Sequence, residues 1–202
     1  MPNATPSHLE IAFNSTDVEA EVLFVDLDET ILDGTVSRMT DEELSASRLI
    51  GQTLQKIAQA QILCIPVVMV TRNSQKAIDR FFEFHPEMKM CFSETLAVEM
   101  GRKSEAINHY LRQNHIQIKK AAFIDDTAGE RDDVERNTEG VCSRDPDEAF
   151  SITTVKKDVV REKREKLLKR FKNTPHPDER KRIKAILESR FQMETHEIYL
   201  AA

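Results

Sequence analysis

The feature that most restricts the fold is the alternation of short, apolar, strand-like runs with stretches of helical periodicity. The runs predict strands at about residues 21–26, 65–70, 88–92, 120–125 and 139–142. Parallel strands need long crossover connections, and a helix between successive strands supplies them. We therefore predict the α/β class, as a Rossmann-like three-layer sandwich with a parallel sheet of about five strands.

Caps and apolar faces predict the helices between these strands. The stretch "TDEEL" has the capping pattern of a helix start at Thr40, and a helix over 41–60 would place on one face Ile50, Leu54, Ile57 and Ala58. Ser74 can cap a second helix, which ends before Pro86 and carries Ala77, Ile78, Phe81 and Phe82. A third helix, starting at about Lys103, carries Ala106, Ile107, Tyr110 and Leu111.

The character of the chain changes near residue 150. Residues 1–154 carry a net charge of −12, and residues 155–202 carry +6. We expect an N-terminal segment (1–19), a core (20–150) and a basic extension (151–202), which reads as a helical hairpin with Pro175 and Pro177 in its turn. The basic run at 155–172 is compatible with contact to an anionic partner, such as nucleic acid or an anionic membrane surface, but such a run is more often a solvated helix face, here docked on the acidic body. An oligomer is also compatible with the sequence.

Composition excludes several classes of protein. With 40% hydrophobic and 32% charged residues, the 202-residue chain is not of the disordered type. Its longest apolar run, residues 62–70, is far shorter than the roughly 20 residues that span a bilayer. The first ten residues lack a secretion signal, and the three cysteines, which form no CxxC pair, indicate buried thiols in a reducing compartment. We expect a cytoplasmic protein, with a specialised export signal left open.

Polar side chains gather where the predicted strands end. Asp26 and Asp28 follow the first strand in "EVLFVDLDETILDG", Thr71 ends the second, and "AAFIDD" places Asp125 and Asp126 after the fourth. Carboxyl ends of parallel strands share one edge of the sheet, where ligands bind. Two aspartates so close repel unless a positive charge offsets them. Oxygen ligands of this kind suit Mg²⁺ together with phosphate oxygens.

These motifs resemble those of the haloacid dehalogenase superfamily over roughly residues 20–145. The match consists of DxDxT followed by "ILDG", a Thr after the next strand, Lys103 at the start of a helix, and the acidic pair. Members are mostly Mg²⁺-dependent phosphatases and phosphotransferases. The resemblance implies an enzyme that hydrolyses phosphoric monoesters through an aspartyl-phosphate.

The resemblance also implies a role for each site residue. Asp26 would be the nucleophile, Asp28 the general acid/base, and Thr71 and Lys103 would bind the phosphoryl group, with Arg102 as a rival to Lys103. The metal ligands would come from the acids Asp26, Asp28, Asp125 and Asp126. Asp126 is the preferred direct ligand, with Asp125 acting through water or on Lys103, although the reverse is open.

Neighbouring residues would assist these groups. Arg72 and Asn73 are placed to reach the substrate, and Thr30 would orient Asp28 or the local turn. One member of the acidic run Glu130, Asp132 and Asp133 is a candidate for the outer metal shell, and the others are expected to be solvated acids at a helix start.

Insertion lengths predict a capless phosphatase. Only about 40 residues separate Thr30 from Thr71, and about 30 separate Arg72 from Lys103. The predicted helices and strands use most of both stretches, so neither has room for the cap domain common in this superfamily. An open site would admit a bulky or macromolecular substrate, such as a phosphoprotein, a nucleic-acid end or a lipid head group, unless the tail or a second subunit covers it.

Three other readings compete with this one. A phosphoacceptor receiver domain also has an acidic pocket, but its acidic pair lies at the first strand and its lysine after the fifth, so the order here is wrong. A binding or scaffold protein would retain the fold without activity. This alternative is disfavoured because the chain retains Asp26, Asp28 and Lys103. A phosphotransferase is chemically the closest alternative and stays open.

Overall fold

The computed structural model of the 202-residue chain describes residues 17–116, 120–153 and 157–191, without the side chains of 157–164 and 189–191. Its strands are β1 (Val18–Glu19), β2 (Val22–Val25), β3 (Val67–Thr71), β4 (Glu94–Ala97), β5 (Ala121–Ile124), β6 (Val141–Arg144) and β7 (Ile152–Thr153). Its α-helices are α1 (Asp41–Ala46), α2 (Gly51–Ile62), α3 (Gln75–Phe84), α4 (Pro86–Lys89), α5 (Lys103–Gln113), α6 (Ala128–Asn137), α7 (Lys157–Asn173) and α8 (Pro177–Phe191).

Within the described residues, five strands form one parallel sheet in the order β4-β3-β2-β5-β6. β2 is central and pairs with both β3 and β5, so that Leu23 lies opposite Val67 on one side and Ala122 on the other. Because all five strands run in one direction, their carboxyl ends meet at a single edge. The remaining two strands, β1 and β7, pair in parallel beside this sheet.

Helices cover both faces of the sheet, which confirms the three-layer α/β fold. One face, with Leu23 and Val25, packs against α2 and α3 through residues such as Ile57 and Phe81. The opposite face packs against α5 and α6 through Phe24, Val68, Phe123, Ile107, Tyr110 and Val134. Every residue of β2, β3 and β5 is buried, as a strand covered on both sides requires. Four of the predicted strands are found within about two residues of their expected positions.

The strand predicted at 88–92 is wrong. Residues Pro86–Lys89 form α4 instead, and the edge strand β4 follows at Glu94–Ala97. Pro86 occupies the first turn of α4, where its fixed φ favours a helix start. β4 lies at the sheet edge with exposed residues at both ends, so it lacks the apolar run by which the other strands are recognised.

The single helix predicted over 41–60 is also wrong, because it is broken between α1 and α2. Thr40 and Glu43 form the predicted capping box of α1, but Ser47 leaves the helix in an extended conformation. The next residues pair with the loop after β2: Leu49 bridges Leu32, and the N–H of Ile50 donates to the carbonyl of Ile31. Ile50 is therefore the N-cap of α2, and Ala58 is exposed.

The predicted helical hairpin is present as α7 and α8, joined by a short turn that contains Pro175; Pro177, also expected in the turn, is instead the first residue of α8. Its own apolar core consists of Leu168, Phe171, Ile183 and Leu187. Helix α8 also packs against α2. Where the hairpin meets the body, side chains from both line a cavity of about 610 Å³, among them Leu167, Ile186, Ile65, Val67 and Phe92. This cavity lies at the amino ends of the strands, opposite the edge that carries the predicted site.

All three cysteines lie in the described residues, half-buried rather than fully buried, and none is joined in a disulfide. Burial raises the pKa of the Cys142 thiol. A search of the helices in the described ranges finds none with the length and apolar character needed to cross a membrane.

Candidate active site

Asp26 lies directly after β2, at the centre of the carboxyl edge. Its N–H donates to the carbonyl of Ile124, which extends the ladder between β2 and β5 and fixes the start of the loop. The chain then turns tightly, with the N–H groups of Ile31 and Leu32 both donating to the carbonyl of Leu27. The φ of +130° at Gly34 lies in a region that favours glycine. In this loop the Asp26 side chain is 8% exposed and lies at the carboxyl edge of the sheet.

Lys103 joins the acids of the two central strands. Its Nζ lies 2.8 Å from Oδ1 of Asp26 and 2.6 Å from Oδ2 of Asp125, and its side chain is 3% exposed. Lys103 is the first residue of α5. From this position its side chain reaches the carboxylates that follow β2 and β5. Lys103 therefore lies against Asp26, and its predicted role of balancing charge on a nucleophile and a transferring group stays a prediction.

Burial and charge compete at this triad. Burial raises the pKa of Asp26 to about 7, against the lowering effect of Lys103, and the nearby Asp125 raises it further. The pKa of Asp125 is also raised, by burial first and despite Lys103. Burial disfavours the charged form of Lys103, but the two carboxylates outweigh that effect and raise its pKa. One ammonium thus serves two buried carboxyl groups, which leaves an excess of negative charge.

A cation would relieve that excess. Asp26, Asp125 and Asp126 each offer a carboxylate oxygen, and these oxygens lie within 4.8 Å of one another. Apart from the Lys103 ammonium, no hydrogen-bond donor in the described part of the chain reaches Oδ1 of Asp26. An all-oxygen donor set in which buried carboxylates outnumber the one ammonium fits a hard divalent cation such as Mg²⁺.

The acidic pair is oriented from two directions. The N–H of Thr127 donates to Oδ1 of Asp125 at 2.9 Å, which leaves Oδ2 for Lys103. Thr30, fully buried, donates its hydroxyl proton to Oδ1 of Asp126 at 3.2 Å and accepts the N–H of Asp126 at 3.0 Å. Thr30 therefore orients Asp126, whereas the sequence led us to expect Asp28 or the local turn as its partner.

Asp28 lies beside this cluster and is held by different partners. Its Oδ1 accepts the N–H of Val36 at 2.9 Å, and its Oδ2 accepts Nδ2 of Asn73 at 2.9 Å. The same Asn73 amide donates to the hydroxyl oxygen of Thr71 at 3.0 Å. The side chain of Asp28 is not among the three that approach each other within ligand distance, so its predicted place among the metal ligands stays a prediction.

Two arginines flank the site at the surface. The Nε of Arg72 donates to Oε1 of Glu130, and the Arg72 side chain is half-exposed. That hydrogen bond raises the pKa of Arg72, against the effect of its burial. Arg102, the sequence-based rival of Lys103, is exposed and lies 3.9 Å from Asp133, so it does not reach the carboxylates that Lys103 contacts. Asp133 also accepts a hydrogen bond from Ser104.

Sequence reasoning missed one contributor to the site, Arg131 on α6. Its Nη1 donates to the carbonyl oxygens of both Asp125 and Asp126. Arg131 lies inside the acidic run "DDTAGERDD", and a single basic residue one turn into a helix that follows two site acids is the signal that was available.

Comparison with known proteins adds information on the fold. No family model matches the sequence, and no curated protein matches it. Among solved structures, the N-terminal part of a Bacteroides fragilis protein that contains a phosphatase domain, complexed with Mg, aligns with a TM-score of 0.53 at 21% identity. The alignment covers 62% of this chain and 36% of that one, so the chain spans little more than a third of its neighbour.

Two further structures align more distantly. A haloacid dehalogenase-like hydrolase from Streptococcus pneumoniae aligns at 13% identity and a TM-score of 0.46, over 62% of this chain and 83% of that one. The 3-deoxy-D-manno-octulosonate 8-phosphate phosphatase from Moraxella catarrhalis aligns at 15% identity and a TM-score of 0.44, over 86% and 90%. Both likenesses are weaker than the first.

The strand arrangement and the alignment with the Bacteroides phosphatase domain define this chain as an α/β protein with a Rossmann-like three-layer fold, which it shares with that domain. The fold predicted from the sequence is confirmed at this level, and the Bacteroides domain is a phosphatase domain by name.

Proposed function

We propose that the protein is a Mg²⁺-dependent phosphomonoester hydrolase that acts through an aspartyl-phosphate on Asp26. The observation that supports this most directly is the convergence of Asp26, Asp125 and Asp126 at the carboxyl edge of the sheet, with Lys103 paired to Asp26 and Asp125. Carboxylates from two strands, with one ammonium group between them, suit a site in which a carboxylate must approach a phosphate of like charge.

In the first step, a carboxylate oxygen of Asp26 attacks the phosphorus atom in line, and the bond from phosphorus to the ester oxygen breaks. The leaving oxygen takes the proton of the Asp28 carboxyl group. Lys103, which pairs with Asp26, and the hydroxyl of Thr71, at the end of β3 next to β2, would contact the transferring group. Asn73 holds Asp28 and Thr71 in a fixed relation by donating to both.

In the second step, Asp28 takes a proton from water, and the resulting hydroxide attacks the phosphorus atom of the aspartyl-phosphate. The bond to Asp26 breaks, phosphate leaves, and both carboxyl groups return to their starting state. Asp26, Asp125 and Asp126 would hold the metal, with Asp126 as the preferred direct ligand because Asp125 already bonds Lys103. When bound, Mg²⁺ would supply the positive charge that offsets the repulsion between carboxylate and phosphate.

We infer further that the site is open and takes a bulky phosphorylated substrate. The segment between the first motif and α2 lies against α3: Arg80 bonds the carbonyls of Val36 and Met39 and pairs with Asp41. The hairpin contacts the body at the amino ends of the strands, away from Asp26. Both observations support a capless arrangement.

Hydrolysis of an aryl phosphate by the purified full chain tests the proposed function. We expect activity that requires Mg²⁺, stops with EDTA and returns when Mg²⁺ is added in excess. Asp26→Asn should lower kcat by at least about a thousandfold, because the nucleophile is lost. Asp33→Asn, a neutralised exposed acid in the same loop, is the matched control and should retain activity. Activity that persists in EDTA or in Asp26→Asn would refute the proposal.

A further inference from the structure

Arg131 forms a bridge behind the acidic pair that the proposed mechanism does not use. Its Nη1 lies 2.6 Å from the carbonyl oxygen of Asp125 and 2.7 Å from that of Asp126. The same nitrogen lies 3.0 Å from Oδ2 of Asp145, which follows β6. The side chain of Arg131 is 19% exposed, so these contacts are largely shielded from solvent.

The two bonded carbonyls belong to the residues whose side chains reach the metal cluster. Fixing both peptide groups fixes the backbone from which the carboxylates of Asp125 and Asp126 project. Thr30 holds Asp126 from the opposite side, through its hydroxyl. The turn after β5 is thus held from two sides, by the loop after β2 and by α6.

This restraint matters because the acids repel each other. Three carboxyl groups lie close together and only two of them contact the Lys103 ammonium, so without a cation the turn after β5 would lower its electrostatic free energy by moving Asp126 away. A ligand set that is already in position does not have to be reorganised when the cation binds. Partners behind metal ligands commonly contribute tenfold to a hundredfold in metal affinity for this reason.

We propose that Arg131, paired with Asp145, is a positioning residue that holds Asp125 and Asp126 in place for a divalent cation. The inference rests on the proposed function, which supplies the cation. Asp145 has a distinct part in it: by neutralising the guanidinium, it lets Arg131 donate hydrogen bonds without adding net positive charge next to the cation.

Titration of Mg²⁺ into the metal-free full chain, followed by isothermal calorimetry, measures this role without reference to activity. Arg131→Met should weaken Mg²⁺ binding by about tenfold to a hundredfold, the range typical of lost second-layer partners. Arg131→Lys restores a donor and should recover part of the affinity. Asp145→Asn should weaken binding by less than Arg131→Met, since the hydrogen bonds remain. Arg136→Met is the matched control, because Arg136 lies on the same helix, is mostly exposed and pairs with Asp132.

Thermal unfolding in EDTA separates positioning from a purely structural role. If Arg131 only stabilised α6, Arg131→Met would lower the Tm of the metal-free protein and leave the Mg²⁺ affinity of the folded fraction within twofold of wild type. That result would overturn the inference while leaving the proposed function intact. A wild-type chain that binds no Mg²⁺ at millimolar concentration would overturn both. Weakened binding in Arg131→Met with wild-type binding in Arg136→Met is the result we expect.

Discussion

Oδ1 of Asp26 lies 2.8 Å from Nζ of Lys103, in an ion pair whose two side chains are 8% and 3% exposed. The single positive charge of Lys103 does not neutralise this part of the site, because its ammonium group also bonds the buried Asp125. The consequences extend from catalysis to the stability of the metal-free protein.

The metal-free protein should lose stability as the pH rises from 4 to 8. The folded-state pKa of Asp26 is about 7, above the ordinary 3.8, so between these values the folded chain retains a proton that the unfolded chain has released. Stability therefore falls through this window, by up to roughly 4 kcal/mol from this one group. Urea unfolding in EDTA at several pH values measures the slope. Asp26→Asn should flatten it, and a variant with the wild-type slope would contradict the assignment.

Lys103→Met should destabilise the metal-free protein more than any neutral substitution at the surface. The substitution leaves Asp26 and Asp125 buried without the lysine ammonium group that pairs with both. Loss of one partner of a buried ion pair typically costs about 3–5 kcal/mol in the free energy of unfolding. The loss should be largest at pH 8 and smaller at pH 5, where the carboxyl groups can take up protons. Lys76→Met, at an exposed position on α3, is the control. Equal unfolding midpoints for the two variants at pH 8 would count against the role of Lys103.

Asp28→Asn should separate acid/base chemistry from metal binding. The Asp28 carboxylate accepts hydrogen bonds from Val36 and Asn73 and lies outside the three-acid cluster. We expect kcat for an aryl phosphate to fall by about 10²–10⁴, the usual contribution of a general acid or base. The Mg²⁺ affinity, measured by calorimetry, should stay within a few-fold of wild type. A tenfold or greater loss of affinity would instead make the Asp28 side chain a metal ligand.

Thr30→Val tests the hydrogen bonds between Thr30 of the DxDxT motif and Asp126 of the acidic pair. Valine retains the shape of threonine but removes both hydrogen bonds to Asp126, one of which satisfies a backbone N–H. We expect a loss of about 1–3 kcal/mol in the free energy of unfolding, since a buried polar group is left unpaired. Thr30→Ser retains the hydroxyl and should lose less. Denaturant unfolding of both variants checks this, and indistinguishable variants would show that the hydroxyl does not contribute.

The site acids were predictable because each follows an apolar strand directly. In a parallel sheet, residues placed in this way must meet at one edge, whatever the loops do in between. Asp26, Thr71 and Asp125 needed no further information than the strands before them. Lys103 was harder to place: the motif order in the resembled superfamily favoured it but left Arg102 as a rival, and the structure places Lys103 against the carboxylates.

The errors share a physical cause. β4 is an edge strand with exposed ends, and the segment between α1 and α2 leaves the helix because Leu49 and Ile50 pair with the loop after β2. Neither pairing produces a periodic pattern of apolar residues in the local sequence by which it could be predicted. Thr30 was expected to orient its neighbour Asp28 or the local turn, although its partner Asp126 lies 96 positions away.

The sequence by itself determined the alternating α/β order, the acids at the strand ends and the helical hairpin, because periodicity and composition are local properties of a chain. Tertiary structure alone decided which partner each polar group has: Lys103 between two carboxylates, Asn73 on Asp28, and Arg131 on the carbonyls of Asp125 and Asp126. Hydrogen bonds and ion pairs depend on distances of a few ångströms between residues far apart in the chain, and those distances exist only once the helices and strands have packed.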